Sequence, residues 1–197
     1  MKGHYFAAMP SRPSPNPDII IFLHGYGGNF LFYLWAMKTE FPEAVILLPS
    51  WGIDWTAGLV ETRSNYLQDM INHFTQETGM QVIRPWLFGI SQGGIAGFEF
   101  AAHHAERFRG YVSIASYPGM AVGFPRDFPM LMLNGIQDDR FPIGEVRRSC
   151  LDLIESGVRV FMAEIESDHF FLLSNKAEAA ALIKEFQKTK ARRVSES

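Results

Sequence analysis

The 197 residues include a single cysteine, Cys150. No intrachain disulfide can therefore form, and no cysteine-based zinc pattern can be completed. Charged residues make up only 20% of the chain and leave a formal net charge of −3. Without a basic surplus there is no electrostatic footprint for a nucleic acid, and none is expected as a partner. No uncharged apolar run approaches the roughly 20 residues that span a bilayer, so no membrane span is expected. The opening Met1-Lys2-Gly3-His4-Tyr5 lacks the apolar stretch of a secretory leader, which makes a cytoplasmic location the expectation. Apolar material, by contrast, is plentiful: 47% of residues are hydrophobic and 14% aromatic. That is too much for a disordered chain, and it is enough to build one core without disulfides or metals.

Punctuation and periodicity divide the chain further. Pro10-Ser11-Arg12-Pro13-Ser14-Pro15-Asn16-Pro17 reads as an extended lead-in, since proline fixes its own φ and has no N–H. Residues 1–17 are accordingly set apart from a single domain over 18–190, and the small or polar residues 191–197 are expected to fray. Within the domain, short apolar runs alternate with longer amphipathic stretches. The runs are Asp18–Leu23, Val45–Leu48, Pro85–Phe88, Tyr111–Ala115, Pro129–Leu133 and Arg159–Ile165. Most show no period-2 alternation, as befits strands covered on both faces. Helices are expected near Phe30–Lys38, Leu59–Thr78, Gln92–Glu106, Ile143–Glu155 and Lys176–Lys190. This order predicts an α/β fold with about six mostly parallel strands flanked by helices. Ser116–Phe128, with Pro118, Gly119, Gly123 and Pro125, reads as a loop in place of a helix.

Gly89-Ile90-Ser91-Gln92-Gly93 fits G-x-S-x-G, with an apolar strand before it and a helical pattern after it. A serine on so tight a turn is strained, and its neighbours two residues away must lack bulk. The helix beginning behind it favours negative charge as it develops. His24-Gly25-Tyr26-Gly27-Gly28-Asn29 follows the first run and can aim a backbone N–H into the same site. The N–H groups of Gln92 and Tyr26 are therefore candidates for an oxyanion hole. This glycine turn is no dinucleotide loop, because position 30 is Phe and no acid ends the next strand. His24 reads as a brace for the loop.

A nucleophilic serine needs a base, and the base needs an orienting acid. Asp138 and Asp139 follow the run ending at Leu133, and His169 follows the run ending at Ile165. The order Ser91, Asp138 or Asp139, His169 is the Ser…Asp…His order of α/β-hydrolases. Adjacent residues on an extended segment point apart, so only one aspartate can meet His169. The spacing from Gly135 and Pro142 favours Asp138. Trp51, Trp55, Tyr117 and Phe170 flank these turns and are candidate substrate-binding residues, although core packing explains such aromatics equally well. Cys150 shares a helical face with Val146, Leu153 and Ile154 and reads as a small buried hydrophobe.

The residues Gly89-Ile90-Ser91-Gln92-Gly93-Gly94, and Ala101 to Gly110 after them, resemble the phospholipase/carboxylesterase branch of the α/β-hydrolases, which includes the acyl-protein thioesterases. They are similar to that family's G-F-S-Q-G-G elbow and to its helix ending in H-P-E-R-F-x-G. Pro49-Ser50-Trp51 matches a further tripeptide, and the likeness extends from about Ile19 to Phe186. The family pattern H-G-x-x-D-x-x-V-P falls on Asn134–Pro142, with its aspartate on Asp138. Asn134, Phe141 and Asp168 depart from the usual His, Val and Gly. The resemblance implies an α/β-hydrolase fold and a serine carboxylesterase or thioesterase with catalytic Ser91, Asp138 and His169. The chain is shorter than is common in that family around the substrate-covering segments, with Ser116–Phe128 and Trp51–Gly58 the candidate covers, so a minimal lid is expected. Its partner would be a small ester or thioester, and it would require no cofactor and no metal. A binding protein on the same scaffold, and an acyltransferase or perhydrolase using the same triad, are the alternatives.

Overall fold

A computed structural model describes residues 4–11, 14, 16–50, 52, 54–55, 59–118 and 124–194. The strands are β1 (His4–Ala8), β2 (Ile19–Leu23), β3 (Val45–Ser50), β4 (Trp86–Ile90), β5 (Gly110–Ile114), β6 (Pro129–Gly135) and β7 (Arg159–Ile165). Between and after them run the helices α1 (Phe30–Glu40), α2 (Val60–Thr78), α3 (Gln92–His104), α4 (Ile143–Glu155), α5 (Phe171–Ser174) and α6 (Lys176–Val194). The strands form one sheet in the order β1-β3-β2-β4-β5-β6-β7. Every neighbouring pair is parallel except β1 with β3.

Every residue of β2, β4 and β5 is buried, which explains the unbroken apolar runs. Their side chains still alternate in direction. Ile21, Leu87, Tyr111 and Met132 enter one core with Leu67 and Phe74 of α2, Phe100 of α3 and Cys150 of α4. Ile20, Phe88, Val112 and Leu133 enter the other with Met37 of α1 and Ile183 of α6. The result is three layers, helix on sheet on helix. Burial of Cys150 pushes its thiol up to about 11, so it behaves as core. Ile154, assigned to the same face from spacing, is instead exposed. Gly79 ends α2 at φ 71, and Gly157 follows α4 at φ 86, both in the left-handed region where glycine is favoured.

Three features add to the expected pattern. The sheet has seven strands, because His4–Ala8 inside the lead-in pairs antiparallel with β3. His4 is thus part of a ladder, and the Tyr66 hydroxyl donates to its carbonyl oxygen. Helix α6 continues through Val194, into the stretch expected to fray. The short helix α5, just after His169, had no signal long enough to register in the sequence.

The strand order places the site. From β2 the chain steps outward to β3 and then crosses back to β4 on the other side of β2. The carboxyl ends of β2 and β4 therefore border the crevice where winding reverses direction, the place where open α/β sheets bind ligands. The turns leaving those two ends are His24–Asn29 and the Ser91 turn.

Candidate active site

Ser91 sits at φ 52 and ψ −121, a conformation that costs a non-glycine residue about 1–3 kcal/mol. Close packing enforces it. A Cβ on Gly89 would stand 2.2 Å from the Gly93 carbonyl oxygen, and one on Gly93 would stand 2.3 Å from both the Leu23 and His24 carbonyl oxygens. A Cβ on Gly94 would lie 2.4 Å from the Ser116 Cβ. The three glycines therefore let α3 close onto the end of β2 and onto Ser116. Gly93→Ala is expected to destabilise the fold by about 3 kcal/mol or more, since its obstacles are backbone atoms that cannot rotate away. Urea unfolding measures this, and an unchanged midpoint would contradict the packing.

Hydrogen bonds hold the turn from below. The Ser91 N–H donates to the Ile114 carbonyl oxygen at 2.9 Å, and the Ser116 hydroxyl donates to the Ser91 carbonyl oxygen at 2.6 Å. The Asn134 side-chain amide, wholly buried, donates in turn to the Ser116 carbonyl oxygen at 2.9 Å. Neither residue stood out in the sequence as a support. The available signal was a polar side chain at the carboxyl end of an otherwise apolar strand.

His169 reaches the turn from the end of β7. Its Nε2 lies 3.1 Å from the Ser91 Oγ, and its Nδ1 lies 2.8 Å from the Asp138 Oδ2. A carboxylate only accepts, so Nδ1 carries the proton and Nε2 is left to accept from the serine hydroxyl. The second Asp138 oxygen accepts from the Arg140 and Phe141 N–H groups at 2.9 Å each. Asp138 and His169 are both buried, whereas Asp139 is exposed. Phe141 and Phe170 flank the imidazole with ring centroids at 5.6 and 5.3 Å. A Cβ on Gly135 would meet the Ser167 carbonyl oxygen at 2.4 Å, so the Asp138 and His169 loops pack without a side chain between them.

The glycine turn lies over the serine. Its Gly28 N–H donates to the Gly25 carbonyl oxygen, with Gly27 at φ 62. A Cβ on Gly25 would be 3.4 Å from the Ser91 Cβ, so the next residue, Tyr26, borders the site with its side chain exposed. Gln92 opens α3, where a backbone N–H has no intrahelical acceptor. The Gln92 side-chain oxygen accepts from the Trp55 N–H at 3.1 Å. His24 is buried under the turn, its Nδ1 donating to the Gly25 carbonyl oxygen at 2.7 Å. Burial pushes its pKa below the ordinary histidine range, so it is a neutral brace.

The four aromatic candidates separate. Trp55 has no exposed surface and packs against His24 and Phe100, so its ring belongs to the core and not to the wall of an open cleft. Beneath it the buried Arg63 is paired with Glu99 at 2.8 Å. Phe170 is half exposed beside His169, and Tyr117 is partly exposed next to Ser116. Trp51 lies outside the described residues, as does much of Trp51–Gly58 and Ser116–Phe128, the segments considered as covers. Among the described residues, no group of three or more His, Cys, Asp or Glu is placed to hold a metal. Nor, among those residues, is any helix long and apolar enough to cross a membrane.

No protein-family model matches the chain, and no curated protein matches it by sequence. Solved structures do match it. The Bacillus cereus carboxylesterase superposes with a TM-score of 0.73 at 15% identity, over 93% of this chain and 94% of that one. A carboxylesterase of Nitrososphaera gargenis gives 0.72 at 11% identity, over 97% and 96%. An alpha/beta hydrolase from the metagenome of lagoon sediments at Mar Chica, Morocco, gives 0.71 at 16% identity, over 97% of each chain. At such identities the likeness is one of fold, and the fold is that of the α/β-hydrolases.

Proposed function

We propose that this chain is a serine hydrolase that cleaves carboxylic esters or thioesters of short-to-medium acyl chain through an acyl-enzyme. The observation that carries the reading is the line of contacts from the Ser91 Oγ through His169 to Asp138, at 3.1 and 2.8 Å. It stands at the one place in the sheet where a ligand crevice is expected, and the strained turn presenting Ser91 gives it a nucleophile's position.

In this mechanism the Ser91 Oγ attacks the carbonyl carbon while its proton passes to the His169 Nε2. The carbonyl π electrons move onto oxygen, and the Gln92 and Tyr26 N–H groups receive that oxyanion. Collapse of the tetrahedral intermediate breaks the bond to the leaving alcohol or thiol, which takes the proton from His169. Water then attacks the acyl-serine, His169 accepts a proton from it, and a second collapse releases the acid and restores the Ser91 hydroxyl. Asp138 holds the Nδ1 proton in place throughout and stabilises the imidazolium. The chemistry requires no cofactor.

Substrate size follows from the cover. Walls contribute about 0.8 kcal/mol for each methylene they bury, and the segments able to form walls here are short. Against a series of p-nitrophenyl esters, kcat/KM should peak at short or medium chains. The rate should show no jump when substrate exceeds its solubility limit. A rate that climbs steeply only with emulsified long-chain ester would contradict this part of the reading.

A further inference from the structure

The rim of the candidate active site carries a positive charge that the mechanism does not use. Phe170 stands beside His169, their ring centroids 5.3 Å apart and their planes nearly perpendicular. The Arg140 guanidinium lies over that same phenyl ring, its carbon 5.1 Å from the ring centroid. The cation is therefore no more than two such spacings from the imidazole. Both residues are exposed. A planar guanidinium that rests on an aromatic face keeps its N–H donors free at its edge, so the contact orients the charge without consuming it.

The backbone fixes both partners. The Arg140 N–H donates to the Asp138 Oδ1 at 2.9 Å, which ties the arginine to the carboxylate that meets His169. The Phe170 N–H donates to the Asp168 Oδ1 at 2.8 Å. Among the described residues, no carboxylate forms an ion pair with Arg140. The nearby acids of the two loops are placed otherwise. Asp168 holds Phe170, Glu166 accepts from the Gln137 Nε2 at 3.1 Å, and Asp139 is exposed. The next cations along the chain, Arg147 after Arg140 and Lys176 after Phe170, are each paired with a glutamate. Arg140 is left with its charge unmatched.

Its position gives that charge a use. His169 returns its proton to the leaving group, so the departing atom stands against the imidazole Nε2. Whatever that group carries then extends over the rings bordering the imidazole, of which Phe170 is the exposed one. We propose that Arg140 selects esters or thioesters whose leaving alcohol or thiol carries an anionic group. That group meets the edge of the guanidinium while the body of the leaving group lies along Phe170. The proposal rests on the serine-hydrolase reading and adds to it the charge of the substrate's departing half.

A matched pair of substrates tests it: 4-(butanoyloxy)benzoate and 4-(butanoyloxy)benzamide differ in charge and hardly in shape. The readout is the ratio of their kcat/KM values, acid over amide. Arg140→Gln should lower that ratio about fivefold, the upper scale of an exposed ion pair. On the unaltered chain, added salt should lower kcat/KM for the acid relative to the amide, because it screens the attraction. The chain's net charge of −3 alone would repel the acid, and salt would then have the opposite effect. The salt series decides the matter if Arg140→Gln fails to fold. A ratio unmoved by Arg140→Gln, or one that salt leaves unchanged or raises, would overturn the proposal and leave the hydrolase reading intact. Cleavage of neither ester above the Ser91→Ala rate would remove both.

Discussion

Replacing Ser91 with alanine should lower kcat for ester hydrolysis by on the order of 10⁵-fold, because a triad that acts as a unit loses nearly all its advantage with its nucleophile. What survives should be the small rate supplied by binding and the oxyanion donors. Stability should change little. Alanine keeps the backbone strain at φ 52, and only the 3.1 Å hydroxyl contact to His169 is lost. A hydrogen bond of that kind contributes about 1 kcal/mol. Steady-state kinetics beside a urea unfolding curve separate the two effects. A variant that keeps more than a tenth of the original turnover would exclude Ser91 as the nucleophile.

The aspartates give the second large effect. Asp138→Asn should reduce kcat by about 10⁴-fold, since an amide facing His169 Nδ1 selects the wrong tautomer. Asp139→Asn should leave kcat within about twofold, because that carboxylate is exposed and a lost surface charge has a small effect. The KM of both variants should stay near the original. The two substitutions remove the same charge one residue apart, so the contrast isolates position from electrostatics. A greater loss at Asp139 would reverse the assignment.

Much of this was legible in the residues because burial on both faces leaves a plain record. The runs at 19–23, 86–90 and 110–114 are strands wholly inside the protein, and nothing but apolar or small residues fits there. The serine turn was legible for a steric reason: three glycines at 89, 93 and 94 mark places where a Cβ would strike other atoms. The choice of Asp138 over Asp139 rests on its spacing from Gly135 and Pro142; the segment carrying both is a turn and not extended, with the Asp138 N–H donating to the Gly135 carbonyl oxygen at 3.3 Å.

Other features left weaker traces. Strand β1 is an edge strand with mostly exposed side chains, so neither continuous burial nor alternation marked it. Helix α6 runs past Lys190, the end its apolar pattern suggested, through Ala191, Arg192 and Arg193, which are strong helix formers. Trp55 shows where composition stops. An aromatic beside a sheet edge can face solvent or core, and only the arrangement of His24, Arg63 and Phe100 around it decides. The support running from Asn134 through Ser116 to Ser91 joins residues 18 and 25 positions apart, a relation that no local pattern encodes.

The central claim is that Ser91 is an activated nucleophile, and covalent labelling tests it most directly. The protein is incubated with a fluorophosphonate, digested, and the modified residue located by mass spectrometry. A single adduct on Ser91 is expected, absent in Ser91→Ala and suppressed in the folded His169→Ala chain, where no base removes the hydroxyl proton. No adduct on the active, folded protein, or one on a serine other than Ser91, would contradict the account.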